Sequence, residues 1–123
     1  MANVTTLQEY PFSVGLLFET IIDVQGPASY TIITIGTPPT GGQTVFATDM
    51  GFKEIHSIEV MGSDNGQYDA VCYVNSGAGS VGNPPKRAGT QFQMQWFAAA
   101  GRTEVTGATN LSARTMRLCI TGR

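Results

Sequence analysis

The chain has 123 residues, 41% hydrophobic but only 13% charged, with a formal net charge of −2 and two cysteines. That length suits one domain, which can hide roughly two-thirds of the surface its unfolded chain exposes without a staple. The acidic balance and the scatter of the seven basic residues exclude a duplex-DNA binder, whose affinity comes from Lys and Arg neutralising phosphates; no nucleic-acid partner is expected.

The opening MANVTTLQEYPF has neither the basic n-region nor the apolar h-region of a signal peptide. No apolar run reaches the ~20 residues that cross a bilayer, so no membrane partner is expected. Cys72 and Cys119 are therefore read as free thiols of a reducing compartment rather than a disulfide. Residues 1–11 read as an N-terminal arm and 12–123 as a single domain. Within it no window repeats apolar residues at helical spacing, whereas short runs of Val, Ile, Thr, Tyr and Phe alternate with Gly, Pro and Asn clusters.

Phe12 to Val24 is long enough for one bent strand or two, with Gly15 as a bulge. After the break at Gly26-Pro27, Tyr30 to Ile35 predicts the next strand. Thr37-Pro38-Pro39-Thr40-Gly41-Gly42 is a loop, since proline lacks the donor a central strand requires. Thr48-Asp49-Met50-Gly51 predicts one helical turn, with Thr48 as N-cap and Gly51 as terminator. Ile55 to Met61 and Tyr68 to Val74 predict a hairpin, because Asn65-Gly66 between them suits the positive φ of a tight turn. Ser76 to Gly89 is the longest loop, and a loop of that length is functional or mobile.

Gln91-Phe92-Gln93-Met94-Gln95-Trp96 alternates three glutamines with three large apolar groups. It predicts a strand with Phe92, Met94 and Trp96 in the core and the glutamines wet or contact-making. In Thr115 to Thr121, Met116, Leu118 and Ile120 face one way and Arg117, Cys119 and Thr121 the other. The expectation is an all-β, single-domain antiparallel sandwich, jelly-roll-like, of seven to eight strands.

Chemistry is hard to find. Catalysis needs several polar groups converging, at least one with a tuned pKa. The single histidine, His56, has Glu54 two residues before it, but no marked nucleophile, and a partly exposed strand histidine is the stronger reading. One histidine and two distant cysteines give no zinc spacing. Asp64-Asn65-Gly66 lacks the later ligands of a calcium loop, and Gly77-Ala78-Gly79-Ser80 lacks the Lys-Ser/Thr of a phosphate cradle. Trp96 with Phe97, and Tyr68 with Tyr73, would stack on sugars only if they faced outward, and Trp96 shares its face with Phe92 and Met94. No enzyme activity, cofactor or metal is expected. Scarce charge suits a surface that another protein covers, because unpaired charge is costly to desolvate.

Two stretches carry a resemblance. PTGGQTVFATDMGFKEIHSIEV (Pro39 to Val60) and EVTGATNLSARTMRLCITGR (Glu104 to Arg123) cover about a third of the chain. They are similar to the corresponding parts of small head decoration, or cement, proteins of tailed bacteriophages. The carriers are Thr40-Gly41-Gly42, Met50-Gly51-Phe52, Glu104-Val105, Asn110-Leu111-Ser112 and Gly122-Arg123, with Tyr68-Asp69 between. The resemblance implies a small β-sandwich, made in the host cytoplasm and bound to the outer surface of the virion capsid. There it would clamp neighbouring copies of the major capsid protein, and pair with itself as a homodimer or homotrimer. The contact elements expected from arm and loops are Asn3, Val4, Leu7 and Tyr10, then Pro38, Pro39 and Gly41, then Pro84, Lys86 and Arg87. The alternative is a tail or head-fibre accessory, or a carbohydrate- or host-surface-binding module.

Overall fold

The computed structural model describes residues 4–6, 12–14, 17–36, 39–74 and 89–123. Among them nine strands form: β1 (Val4–Thr6), β2 (Phe12–Val14), β3 (Leu17–Gln25), β4 (Gln43–Phe46), β5 (Ile55–Ser63), β6 (Tyr68–Val74), β7 (Gln91–Ala98), β8 (Thr103–Glu104) and β9 (Thr115–Gly122). All pairings are antiparallel. The first sheet runs β1-β3-β9-β5, with β2 beside β3; the second runs β4-β7-β6, with β8 beside β7. The count exceeds the expected seven or eight because the two-residue β8 and the three-residue β1 carry no sequence signal of their own.

The alternation in the sequence decides which faces meet. β9 pairs Ile120 with Thr20, Leu118 with Ile22 and Met116 with Val24, and these residues point into the core. From the second sheet Phe92, Met94, Trp96 and Val45 point back at them, all fully buried. Arg117, Cys119 and Thr121 lie on the opposite face, as expected. Leu111, Tyr30, Phe52 and Val105 close the ends of this core. Each fully buried side chain of this size contributes about 1.5–3 kcal/mol relative to exposure.

Some local expectations are corrected, and others hold in whole or in part. β5 and β6 do not pair: β5 runs beside β9 and β6 beside β7, so residues 64–67 form an arch from one sheet to the other. Only Gly66 in that turn has a positive φ (70°). Asn65 instead uses its side-chain oxygen to accept the Gln67 N–H at 3.0 Å, an Asx turn. Of the two readings of Phe12 to Val24, two strands is the one that holds, paired with each other with Val14 opposite Leu17. Tyr30 to Ile35 is not a strand; only Thr34 makes an isolated bridge, to Thr40. The helical turn is present as a 3-10 turn, Ala47–Met50, ended by Gly51 at φ 78°. Its start is closed by Asp49, whose carboxylate accepts the Phe46 N–H at 3.1 Å, and not by Thr48. Val4–Thr6, inside the span read as an arm, is an edge strand against Val24–Ile22.

Gly122 has a packing reason to be glycine. It sits opposite Ile55, and a β-carbon there would collide with the Glu54 carbonyl. Gly122→Ala must push β5 away from β9, whereas Leu118→Ala leaves a void between the sheets. Leu118→Ala is expected to lower unfolding free energy by about 2–5 kcal/mol. Thr121→Ala, on the outer face of the same strand, is expected to cost much less, and urea denaturation compares the two.

Candidate functional site

Of the expected contact residues, Asn3, Leu7, Tyr10, Pro38, Pro84, Lys86 and Arg87 lie outside the described residues, as do Gly77 to Ser80. Val4 is half-buried on β1 and packs against the core. Pro39 and Gly41 lie in the segment 39–42, which runs back along 30–36 through the Thr34–Thr40 bridge, and the side chains that 30–36 displays were missed in the sequence; these described residues are called loop 30–42.

The loop's described residues are tied together by hydrogen bonds. Thr34 and Thr40 exchange backbone hydrogen bonds at 2.7 and 3.0 Å, and the Gly42 N–H donates to the Thr31 carbonyl at 2.8 Å. Gly41, at φ 80°, lies so close to Ile32 that a β-carbon would strike the Ile32 carbonyl. At the root, the Tyr30 hydroxyl donates to Glu104 Oε2 at 2.9 Å, and the same oxygen accepts the Ile33 N–H at 2.9 Å. The Tyr30 oxygen also accepts the Trp96 backbone N–H at 3.2 Å. Burial, opposed by the Trp96 hydrogen bond and reinforced by the Glu104 carboxylate, raises the Tyr30 phenol well above its usual value, so it stays a donor at any ordinary pH. With Ile33 buried inside, the loop presents Ile32 (52% exposed) and Ile35 (66% exposed) to solvent. No charged residue occurs between positions 24 and 48. The product is an uncharged surface on which two isoleucines are held exposed.

The opposite end of the sandwich holds a groove of about 720 Å³ lined by Phe18, Met50, Phe52, Lys53, Glu54 and Arg123. Arg123 donates to Glu54, and His56 Nε2 lies 3.3 Å from the same Glu54 oxygen. These two contacts hold the Glu54 carboxyl below its ordinary value. His56 is the extra residue of a bulge between Ile55 and Ser57, which turns its ring back to Glu54. The arrangement is an ion-pair cluster in which the histidine contacts a carboxylate already engaged by arginine. Among the described residues no group of three or more His, Cys, Asp or Glu converges to hold a metal.

The two outer faces differ in kind. That of the first sheet carries Glu19, Asp23, Glu59 and Arg117, with Arg117 bidentate to Asp23 at 2.9 and 3.1 Å. That of the second carries Thr44, Phe46, Val71, Tyr73, Gln91, Gln93, Gln95 and Phe97, and two carboxylates: Asp69, paired with Arg102 at 3.1 Å, and Glu104, opposite Phe97. The glutamines are not as wet as their alternation suggests: Gln93 is 5% and Gln95 8% exposed. Gln93 Nε2 donates to the Gly41 carbonyl at 2.7 Å and Thr44 Oγ1 at 2.9 Å, and the Tyr73 hydroxyl donates to Gln95 at 2.9 Å. Their amides are satisfied by neighbours, which lets them be covered.

Cys72 and Cys119 are both free, one on the inner face of the second sheet and the other on the outer face of the first. Burial pushes the Cys72 thiol up to about 12. Cys119 reaches about 11 through burial first, then the hydrogen-bonded Glu19 carboxylate and nearby Glu59. Searches against protein-family models, curated proteins and solved structures return no match.

The thiols and Tyr30 each have measurable consequences. A folded pKa above the unfolded one means the folded state resists thiol ionisation. Stability is thus full below the unfolded thiol pKa, about 8.5, and falls as pH rises from there toward 11–12. In the same way both thiols should react slowly with a disulfide reagent at pH 8 in native protein and promptly in guanidinium. Tyr30→Phe removes the bond to Glu104 and the acceptor of the Trp96 N–H, and should cost about 1–3 kcal/mol in denaturation. Amide exchange at Ile33 and Gly42 should then accelerate.

Proposed function

We propose that this chain is a head decoration protein of a tailed bacteriophage, which binds the outside of the expanded capsid and braces contacts between major capsid subunits. The observation that carries the reading is the uncharged loop 30–42, held by Glu104 and Tyr30 and displaying Ile32 and Ile35. Such a surface is suited to an apolar seam between subunits, since it has no charge to desolvate and its described residues are already tied by hydrogen bonds.

Two further features support it. The residues of the family resemblance act here as turn and core formers: Gly51 ends the 3-10 turn, Leu111 is fully buried, and Asn110 Oδ1 accepts the Ser112 N–H at 2.9 Å. In addition, strand order favours a jelly roll. In that fold the first long strand lies beside the last and the second beside the penultimate, as two Greek keys require. Here β3 lies beside β9 with β5 next, and β4 beside β7 with β6 next. A stable contact of this class covers about 1,200–2,000 Å², and many copies at fixed spacing reinforce one another through effective concentration. The partners on this reading are the major capsid protein and further copies of the chain itself, on the outer capsid surface.

Sedimentation with expanded, undecorated capsids of the cognate phage tests it. Saturable binding near one copy per capsid subunit, absent on unexpanded shells, is expected. The double substitution Ile32→Asp with Ile35→Asp should weaken binding by at least about a hundredfold, roughly 2.7 kcal/mol, with an unchanged melting temperature. Wild-type protein that ignores both shell forms removes the proposal; a double variant that binds normally moves the contact off this loop.

A further inference from the structure

A sandwich has four lateral edges, and here they are not equivalent. On the first sheet one edge is made of the three-residue strands β1 and β2. The other is β5, bulged between Ile55 and Ser57 and again between Val60 and Gly62, and bridged at Ile55 by Gly89. On the second sheet β4 and β8 are four and two residues long. Short strands and bulges are the usual means of keeping an edge from pairing with another chain. β6 has neither device. It runs seven residues in unbroken register with β7, contains no proline and no lysine, and pairs with no second strand among the described residues.

The phase of its hydrogen bonds can be read. The Ala99 N–H donates to the Gln67 carbonyl at 2.9 Å, so 67, 69, 71 and 73 turn their N–H and C=O toward β7, and 68, 70, 72 and 74 turn theirs outward. In keeping with that phase, the Tyr68 N–H donates to Ser63 Oγ at 3.2 Å and the Ala70 N–H to Asp69 Oδ1 at 2.8 Å. These are local, side-chain stand-ins for a ladder. The outward N–H groups of Cys72 and Val74, and the outward carbonyls of the strand, have no partner among the described residues.

We infer that β6 is a homodimer seam, on which a second copy of this chain lays its own β6 antiparallel. A two-fold pairing must join outward residues to outward residues, so it must be centred on one residue or another, without an odd offset. Centring on Val71 is the choice that pairs all seven residues. It sets Tyr68 against Val74, Ala70 against Cys72, and Val71 against itself. It also sets Asp69 against Tyr73 of the second copy, so the strand's one carboxylate never meets its own image. Like charges directly opposed would destabilise the pair. The dimer would join the second sheets of both copies into one continuous sheet whose outer face is mostly neutral, its charges being Asp69 paired with Arg102, and Glu104. The inference does not rest on capsid binding, because it concerns the free protein.

The seam is tested by sedimentation velocity on the full chain with two substitutions at its centre. Val71 would form a non-hydrogen-bonded pair, with Cα atoms about 4.5 Å apart, within the ~4.4–6.8 Å a disulfide spans. Under mild oxidation, Val71→Cys should give a covalent dimer linked through position 71 by peptide mapping, whereas the wild type, with Cys72 and Cys119, should not. Val71→Lys places two ammonium groups face to face on an outer, half-exposed site. It should raise the dimer dissociation constant by at least about tenfold without altering the near-UV spectrum. A wild type that stays monomeric, or a trimer, overturns the inference. So does a dimer that survives Val71→Lys or fails to cross-link through Val71→Cys.

Discussion

Burying a tryptophan brings a donor into the core, and much of this molecule is arranged around satisfying it. Trp96 is fully buried, and its indole N–H donates to Gln43 Oε1 at 3.0 Å. Gln43, itself inside the core, passes the demand on: its amide donates to the Gln25 carbonyl at 2.6 Å, at the end of β3. One chain of hydrogen bonds thus ties β7 and β4 of the second sheet to the first. The backbone of the same tryptophan anchors the rest, its N–H on the Tyr30 hydroxyl and its carbonyl on the Val105 N–H at 3.0 Å. A buried donor left unpaired costs about 1–3 kcal/mol. Gln43, Tyr30 and Glu104 are therefore bound to Trp96 by necessity, and loop 30–42 inherits its order from that network.

The faces of the sandwich were legible because they depend on period-two alternation, a local property. Met116, Leu118 and Ile120 against Arg117, Cys119 and Thr121, and Phe92, Met94 and Trp96 against the glutamines, read directly onto inner and outer sides. Gly51 was legible as a stop because its left-handed conformation closes a turn made of adjacent residues. Each of these choices is decided within a few positions.

What was not legible depends on partners far along the chain. Tyr30 to Ile35 has the β-branched content of a strand, but its polar groups are claimed by Glu104 and Thr109, so no ladder forms and Ile32 and Ile35 are left outside. Asn65-Gly66 announces a turn without saying whether its flanks pair or arch. β9 offers β5 a complementary row in Ile120 and Leu118, and β7 offers β6 one in Met94 and Trp96; two inter-strand seams were available, and both were taken. The buried glutamines misled for the same reason. An amide is counted as wet until its acceptor is found, and the Gly41 carbonyl lies 52 positions from Gln93.

The scarcity of charge becomes informative once it is placed on the fold. Carboxylates and guanidinium groups gather on the outer face and ends of the first sheet, where Asp23–Arg117, Asp64–Arg114 and Glu54–Arg123 pair in water. Such pairs add little to stability, so their value is as a hydrated surface that resists being covered. The second sheet's outer face and loop 30–42 carry mostly neutral amides, hydroxyls and apolar groups, with Asp69 engaged by Arg102 and Glu104 by the Tyr30 hydroxyl and the Ile33 N–H. Covering that side removes apolar area from water at little desolvation cost; covering the other would strip several ions. The molecule therefore has one side rich in hydrated ion pairs and one side with few charges, and Ile32, Ile35 and the β6 edge, unpaired among the described residues, all belong to the second.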